Sequence, residues 1–480
     1  ERRTSIKGIH AHSEAGAAYM ADGYARVTGR PGICMAQIIG ALNLCAGLRD
    51  AHLAKSPIIA LTGGREANHR DRWAYQEVDD IPAFAPYTKM NAVVDDPARL
   101  PDMLRQAFRV ATTGSPGPVH LQLAGNTGQA IENAEIDFDG VIEAQYGQVP
   151  PDRPQPDLNK VREAAKRISE ARRPVIVAGG GVRYSGAYEA LNKLAEAMHV
   201  PVATSLNAKD AILDNNPLCV GVVGTYSRRS ANQVVAEADL VIFVGTRAGG
   251  MTTHFWTIPA KGTPTIQVDI DPLVNGRNYP TDVSIVGDAR VTLEKMNELN
   301  IPVPKERVEW IKQVQEICTS YKTDFGEVYK SDAFPIRPER VVNELSNGMP
   351  ENAIIVVDTG HSGMWMGGMF EKRHEGQSYI RSAGHLGWAF PAALGAKCGA
   401  PDRPVVCFMG DLGFWYHMAE VETAVRAGIN TITIINNNNS GNMGKDSISN
   451  IYDGKPTKAS QDIWVQNKIN FAKIAEDMGA

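Results

Sequence analysis

Short apolar runs alternate along this chain with stretches of helical periodicity. Pro57–Thr62, Pro174–Ala178, Leu240–Val244, Ile354–Asp358 and Val405–Met409 are largely apolar runs, Ile266–Ile270 is a more broken one, and each is closed by Gly, Asp or Thr. Runs of this length between turn residues predict strands buried on both faces of a parallel sheet. Ile6–Ile9 and Gly117–Leu121 predict two more strands. Between them the period changes. Glu14–Arg26 is Ala-rich and helical, Asn159–Arg172 reads as a charged helix, and Phe471–Met478 as an amphipathic one. From His417 onward, Met418, Val421, Val425 and Ile429 share one helical face. Strands alternating with helices predict α/β architecture with parallel sheets. Gly441–Thr457 has few apolar residues and predicts a loop or lid.

One unit carries more than fold. The strand Val405–Met409 breaks at Gly410-Asp411, Gly413 follows, and a helix runs to Gly428. A second β-rich run, Thr431–Ile435, then leads into Asn436–Asn439. A right-handed crossover puts both turns at one sheet edge, which would bring Asp411 to the Asn run. A carboxylate, an amide oxygen and a backbone carbonyl there suit a hard cation such as Mg²⁺, which completes its octahedron with water and phosphate. A helix N-terminus near Gly413 would offer N–H groups to a diphosphate. A lone Gly-Asp pair would be no more than a helix cap and a turn; its neighbours and spacing give it weight.

Composition narrows the function classes. The 480 residues suggest three domains, with 43% hydrophobic and 21% charged residues, ordinary for a globular protein. A net charge of −5 provides no basic field for nucleic acid or an anionic membrane. No apolar run is long enough for a transmembrane helix. The six cysteines are scattered without a CxxC, and the 11 histidines form no HxxxH or HExxH pair. These features predict a reducing, cytoplasmic setting and no zinc site.

The 405–443 unit resembles the diphosphate-binding motif of thiamine diphosphate enzymes, and in detail the acetolactate synthase group, whose Glu and Gly after the Asp match Glu420 and Gly428. The resemblance implies Asp411 and Asn438 as side-chain Mg²⁺ ligands, with Asn437 the alternative in the Asn run, and the Ser440 carbonyl as the third ligand. Gly410, Leu412 and Gly413 would lie along the diphosphate; Leu412 departs from the Gly or Ala of the family.

The same group is matched near the start. Alone, Glu14 reads as a first-turn acid favoured by the helix dipole. AAYMADGYARVTGRPG follows it at the spacing of the pyrimidine-binding domain. The resemblance implies that Glu14 hydrogen-bonds the aminopyrimidine, favouring the tautomer that activates the thiazolium. Such a group wants an apolar setting. Ser13 stands where the family has His. Gly40, Ala41 and Asn43 match a pocket loop from which Ile38 and Ile39 depart, so a differently shaped wall is implied. Gln76, in Tyr75-Gln76-Glu77, would line the substrate pocket, although a loop hydrogen-bonder would look the same. Pro86-Tyr87-Thr88-Lys89 also matches.

Further on, Pro150–Pro156 is a linker. Gly179-Gly180-Gly181 is a tight, phosphate-sized turn but no dinucleotide fingerprint. The resemblance leaves the middle segment either purely structural or a holder of FAD or an adenine nucleotide, with Arg247 and Asp271 nearby. In the last segment Thr359–Gly363 reads as a loop that resembles the first cofactor-contacting loop of the diphosphate domain, where His361 and Ser362 would donate to the diphosphate. Ser382–Gly387 would pass beneath the bent cofactor: Leu386 would force its rings together, Gly384 would offer backbone to the aminopyrimidine, and His385 would lie alongside.

The implied architecture is three parallel-sheet α/β domains: 1–150, pyrimidine-binding; 151–330, Rossmann-like; and 331–480, diphosphate-binding. Compared with the group, a first strand with its glycine loop is expected before Glu1, and a closing segment after Ala480. The implied function is thiamine diphosphate- and Mg²⁺-dependent making or breaking of a C–C bond, acetolactate synthase-like, on 2-oxo acids such as pyruvate. The alternatives are a 2-hydroxyacyl-CoA lyase, which Glu420–Thr423 also resembles, and a non-catalytic or truncated homologue, for which Leu412 and Ile38-Ile39 speak. The group's site lies between subunits, so a homodimer or homotetramer is implied.

Overall fold

The computed structural model describes residues 5–126, 128–136, 142–455 and 457–480. Among these, fourteen strands form three sheets. The first holds β1 (Gly32–Ala36), β2 (Ile58–Gly64), β3 (Asn91–Val94) and β4 (Val119–Ala124), in the order β1-β2-β4-β3. The second holds β5 (Pro174–Ala178), β6 (Val202–Thr204), β7 (Cys219–Val222), β8 (Leu240–Val244), β9 (Thr265–Asp269) and β10 (Val283–Val286), in the order β10-β9-β8-β5-β6-β7. The third holds β11 (Ile354–Val357), β12 (Ser378–Arg381), β13 (Val405–Gly410) and β14 (Ile432–Asn436), in the order β12-β11-β13-β14. Strands pair in parallel in all three sheets, and the chain is α/β throughout.

The chain forms two compact bodies. One consists of Glu1–Pro151, Ile354–Ser362 and Ile380–Ala480, the other of Asp152–Ala353 and Gly363–Tyr379. In the first body the helix Glu14–Thr28 crosses the helix Ala389–Gly399 with backbones almost touching. A Cβ on Gly23 would lie 2.0 Å from the Ala392 carbonyl oxygen, and one on Gly395 1.8 Å from that of Met20. Only glycine fits either position. In the second body the strand order is that of a doubly wound sheet, with β5 and β8 at the switch point.

The apolar runs became central strands for the reason they were legible: both faces are covered. All five residues of β5 and of β8 are buried. The unpredicted strands are short or polar. β10, at a sheet edge, alternates buried and exposed positions instead of forming an apolar run.

Five expectations need correction. Ile6–Ile9 is not a strand; Ile6 is 71% exposed and pairs with no sheet. The helix expected from His417 begins at Asp411, and a second follows over Glu420–Ala427. The aromatic run Phe414–Tyr416 hides the helical period there, and Val425 is exposed rather than on the buried face. Thr359–Gly363 is not all loop, since a helix starts at Gly360. Gly441–Thr457 contains a 3₁₀ turn and the helix Lys445–Ile451. The triple glycine opens the helix Gly180–Ser185, and its small size serves packing: a Cβ on Gly179 would lie 2.3 Å from the Gly245 carbonyl oxygen.

Candidate functional site

β13 and β14 run side by side with Gly410 opposite Asn436, so Asp411 and the Asn run leave the sheet at one edge. Asp411 is buried. Its Oδ1 accepts from the Leu412 N–H at 2.9 Å and its Oδ2 from the Ser440 N–H at 3.1 Å. The Ser440 N–H also reaches Asn438 Oδ1 at 3.1 Å, and the Ser440 hydroxyl lies 3.0 Å from the same oxygen. Asn438 and Asp411 therefore converge on Ser440. Asn437 does not: its amide donates to the Ile469 carbonyl at 3.0 Å, and its oxygen accepts from the Asn439 N–H at 3.1 Å. The left-handed backbone of Asn439, φ 54°, makes this doubling back possible.

Around this edge stand other expected residues. A Cβ on Gly410 would lie 3.7 Å from Ser362 Oγ, and one on Gly413 3.4 Å from Leu386 Cδ1. Leu412 packs toward Gly441, where a Cβ would meet its Cδ2 at 3.1 Å. His361 lies in the first turn of the helix Gly360–Met369. Gly384 has φ 150°. The His385 ring lies 5.3 Å from that of Tyr19, which is also 5.3 Å from the His417 ring. Burial and neighbouring His385 push the His417 imidazole down to about 4.

Two buried carboxylates hold the Ser382–Gly387 loop, and neither was expected from the sequence. Asp50 accepts from the Ala383 N–H at 2.9 Å, the His385 N–H at 3.0 Å and the Ser382 hydroxyl at 3.2 Å. From the other side Asp358 accepts from the Gly387 N–H at 3.0 Å. Burial pushes the Asp358 carboxyl up to about 7, although the N–H groups of Thr359, Gly387 and Ala389 pull it down. Asp50 is balanced by Arg26, which also pairs with Asp22 at 2.6 Å and lies over the Trp388 ring. The signal was present in MADGYAR, where Asp22 and Arg26 stand one helical turn apart.

On the first sheet a second group forms. Glu14 opens its helix behind the N-cap Ser13 and is half-buried beside a polar partner, not enclosed in an apolar setting. Its Oε2 accepts from Asn43 Nδ2 at 3.3 Å, and a Cβ on Gly40 would lie 2.4 Å from its Oε1. Buried Glu420 accepts from the N–H groups of His12 at 3.2 Å and Ser13 at 3.0 Å, fixing the helix entry just before Glu14. Gln76 has φ 63°, and its Oε1 accepts from Gln37 Nε2 at 3.3 Å and Asn126 Nδ2 at 3.5 Å. Ile38 is buried in the core, whereas Ile39 is 57% exposed. Among the described residues no hydrogen bond joins Glu14 or Gln76 to the Asp411 group.

Sequence comparisons fall on the same segments. Residues 1–83 match the family model described as the N-terminal TPP binding domain of thiamine pyrophosphate enzymes, 161–296 the central domain, and 358–480 the C-terminal TPP binding domain. The chain is 34% identical to a probable acetolactate synthase large subunit of Methanococcus aeolicus, over 97% of this chain and 79% of that protein. Another from Methanocaldococcus jannaschii is equally similar, with the same coverage. The acetolactate synthase large subunit of Corynebacterium glutamicum is 32% identical over 99% of this chain and 76% of its own length.

The chain belongs to the thiamine pyrophosphate enzyme family. It is an acetolactate synthase-like member of it. For an enzyme of this family, the donors at the β13–β14 edge fit the cofactor's needs. One carboxylate, amide and hydroxyl oxygens and a backbone segment suit Mg²⁺ shared with phosphate. Among the described residues no group of three or more His, Cys, Asp or Glu is placed to hold a metal ion. No helix there is long and apolar enough to cross a membrane.

In the middle segment of this thiamine pyrophosphate enzyme, Arg247 and Asp271 follow the neighbouring strands β8 and β9. Burial lowers the Arg247 pKa and raises the nearby Asp269 carboxyl to about 6. Asp271 Oδ1 accepts from the Leu273 N–H at 3.0 Å, which is a turn contact.

Proposed function

We propose that this chain is a thiamine diphosphate- and Mg²⁺-dependent carboligase that acts on 2-oxo acids such as pyruvate. The observation that carries this is the convergence of Asp411 and Asn438 on Ser440 at the edge shared by β13 and β14. Asp411, Asn438 and the Ser440 carbonyl would hold the ion. Ser362, His361 and the backbone of Gly410, Leu412 and Gly413 would face the diphosphate. Gly384, His385 and Leu386 would support the rings, with Asp50 and Asp358 keeping their loop in place. When bound, thiamine diphosphate supplies an electron sink for the carbon next to a carbonyl.

Glu14 would hold a proton on the aminopyrimidine side. Asn43 orients one of its oxygens, and Gly40 allows the close approach. Gln76 would line the substrate pocket. Leu412 turns toward Gly441 and Ile38 is packed into the core, so these two departures have places in the fold, whereas Ile39 is exposed. The domain extents of 1–150, 151–330 and 331–480, a nucleotide or FAD in the middle domain, a homodimer or homotetramer, and a cytoplasmic setting belong to the same reading.

The test is calorimetric titration of the chain with thiamine diphosphate in Mg²⁺. Micromolar binding is expected, falling by at least about tenfold in Asp411→Ala, together with turnover of pyruvate. Undiminished binding in that variant would remove the ion site from Asp411. Binding without pyruvate turnover would redirect the substrate to a 2-hydroxyacyl-CoA.

A further inference from the structure

Gln76 is a non-glycine residue in the left-handed region, φ 63°, within a loop that also holds Asp71 at φ 61° and Trp73 at φ 55°. Such backbone persists only where its surroundings enforce it. Part of the enforcement is Glu77, whose carboxylate accepts from the N–H groups of Asp71 at 2.6 Å and Ala74 at 3.0 Å. The rest acts on Gln76 itself. Gln37, just after β1, and Asn126, just after β4, both direct amide N–H groups at its Oε1. Those two segments are locked together by the Ile38 N–H donating to the Asn126 carbonyl at 2.8 Å.

A glutamine amide has one oxygen end and one N–H₂ end. Both donors meet the oxygen end. The N–H₂ end of Gln76 has no hydrogen-bond partner among the described residues, and the residue is half-buried rather than enclosed. Gln37 leads into the turn Ile38–Gly40, whose Gly40 lies against Glu14, so the segment that holds Gln76 is continuous with the one beside the Glu14 carboxyl.

We propose that Gln37 and Asn126 are positioning residues that hold the Gln76 amide by its oxygen and so leave its N–H₂ group to donate to an acceptor oxygen of the substrate, the carboxylate of a 2-oxo acid. This rests on the function proposed above and deepens it by assigning the specificity to a chain of three amides. An ammonium at that point, which has donors and no acceptor, would be disfavoured.

The experiment uses the full chain with thiamine diphosphate and Mg²⁺, and pyruvate as probe. Gln37→Glu keeps the side-chain shape and removes the donor; Gln37→Ala and Asn126→Ala remove the group. Each is expected to raise KM for pyruvate about five- to tenfold, with kcat and thiamine diphosphate affinity within about twofold of the parent. In a Gln76→Ala background the same changes are expected to add nothing further, because they act through Gln76. Gln37→Glu with unchanged KM, or full additivity with Gln76→Ala, would overturn the proposal. Normal cofactor binding without saturation by pyruvate would overturn the carboxylate assignment while leaving the cofactor site standing. Loss of cofactor binding in the parent chain would remove the function reading itself, and the proposal with it.

Discussion

Asn437 and Asn438 are adjacent, identical in chemistry and different in what they touch. Asn437 ties the Asn run to Ile469 and its own turn, whereas Asn438 shares Ser440 with Asp411. Asn438→Ala should therefore lower Mg²⁺-dependent cofactor affinity at least about tenfold with little change in melting temperature. Asn437→Ala should cost about 1 kcal/mol of stability and leave that affinity within about threefold. Calorimetry and thermal unfolding of both variants check this, and reversed results would shift the register of the ion site. In the sequence the run of four asparagines left the register open by one position, because the direction of each side chain depends on backbone φ, and four identical residues do not show which of them takes the left-handed turn that the structure puts at Asn439.

Among elements, the Ser382–Gly387 loop is the least self-sufficient. Its N–H groups at Ala383, His385 and Gly387 are satisfied by carboxylates from the helix Ala41–Ala54 and the end of β11. Removing one acceptor strands buried donors and leaves Arg26 with one carboxylate fewer. Asp50→Ala should destabilise the chain by about 3 kcal/mol. Asp50→Asn, which keeps an acceptor oxygen but adds a donor, should lose less stability while still weakening cofactor binding through the displaced Leu386. Denaturant unfolding together with cofactor titration separates the two effects; wild-type affinity in a folded Asp50→Asn would show that the loop holds itself. Of these elements the sequence revealed the central strands and the helix Glu14–Thr28, whose apolar or Ala-rich periodicity is a local property. It missed β10, whose pattern is that of an edge, and the helix start at Asp411, where consecutive aromatics mask the period.

At the scale of the molecule, burial of charge sets the response to pH. In the second body Lys209 is 3% exposed, 3.9 Å from Asp214, and its Nζ has no hydrogen-bond partner. Burial pushes this amine down from 10.5 to about 8. A base with a depressed folded-state pKa destabilises the fold while charged in both states, below about 8. The penalty is relieved as the folded state loses the proton between about 8 and 10.5. Asp214 keeps Arg228 at 2.7 Å and the Lys372 N–H at 2.6 Å whether or not Lys209 is there. Lys209→Met should accordingly be as stable as the parent or about 2 kcal/mol more stable at pH 7, an advantage lost by pH 10. Denaturant unfolding across that range checks it; a less stable variant at pH 7 would mean that the Asp214 pair outweighs desolvation.

The sequence by itself determined the α/β class and the central strands, which follow from short-range periodicity that the chain carries locally. It also offered Asp411 and the Asn run as candidates for a diphosphate and its ion, and, through the family resemblance, Glu14 as a candidate for the aminopyrimidine. The tertiary structure decided what depends on direction across distance. It turned Asn438 rather than Asn437 toward Ser440, closed Asp50 and Asp358 on one loop, and set Gln37 and Asn126 against a single oxygen of Gln76. Apart from the local Asn438–Ser440 contact, these join segments far apart in the chain, and their geometry is fixed by parallel strand register and close helix crossing, which no residue specifies alone.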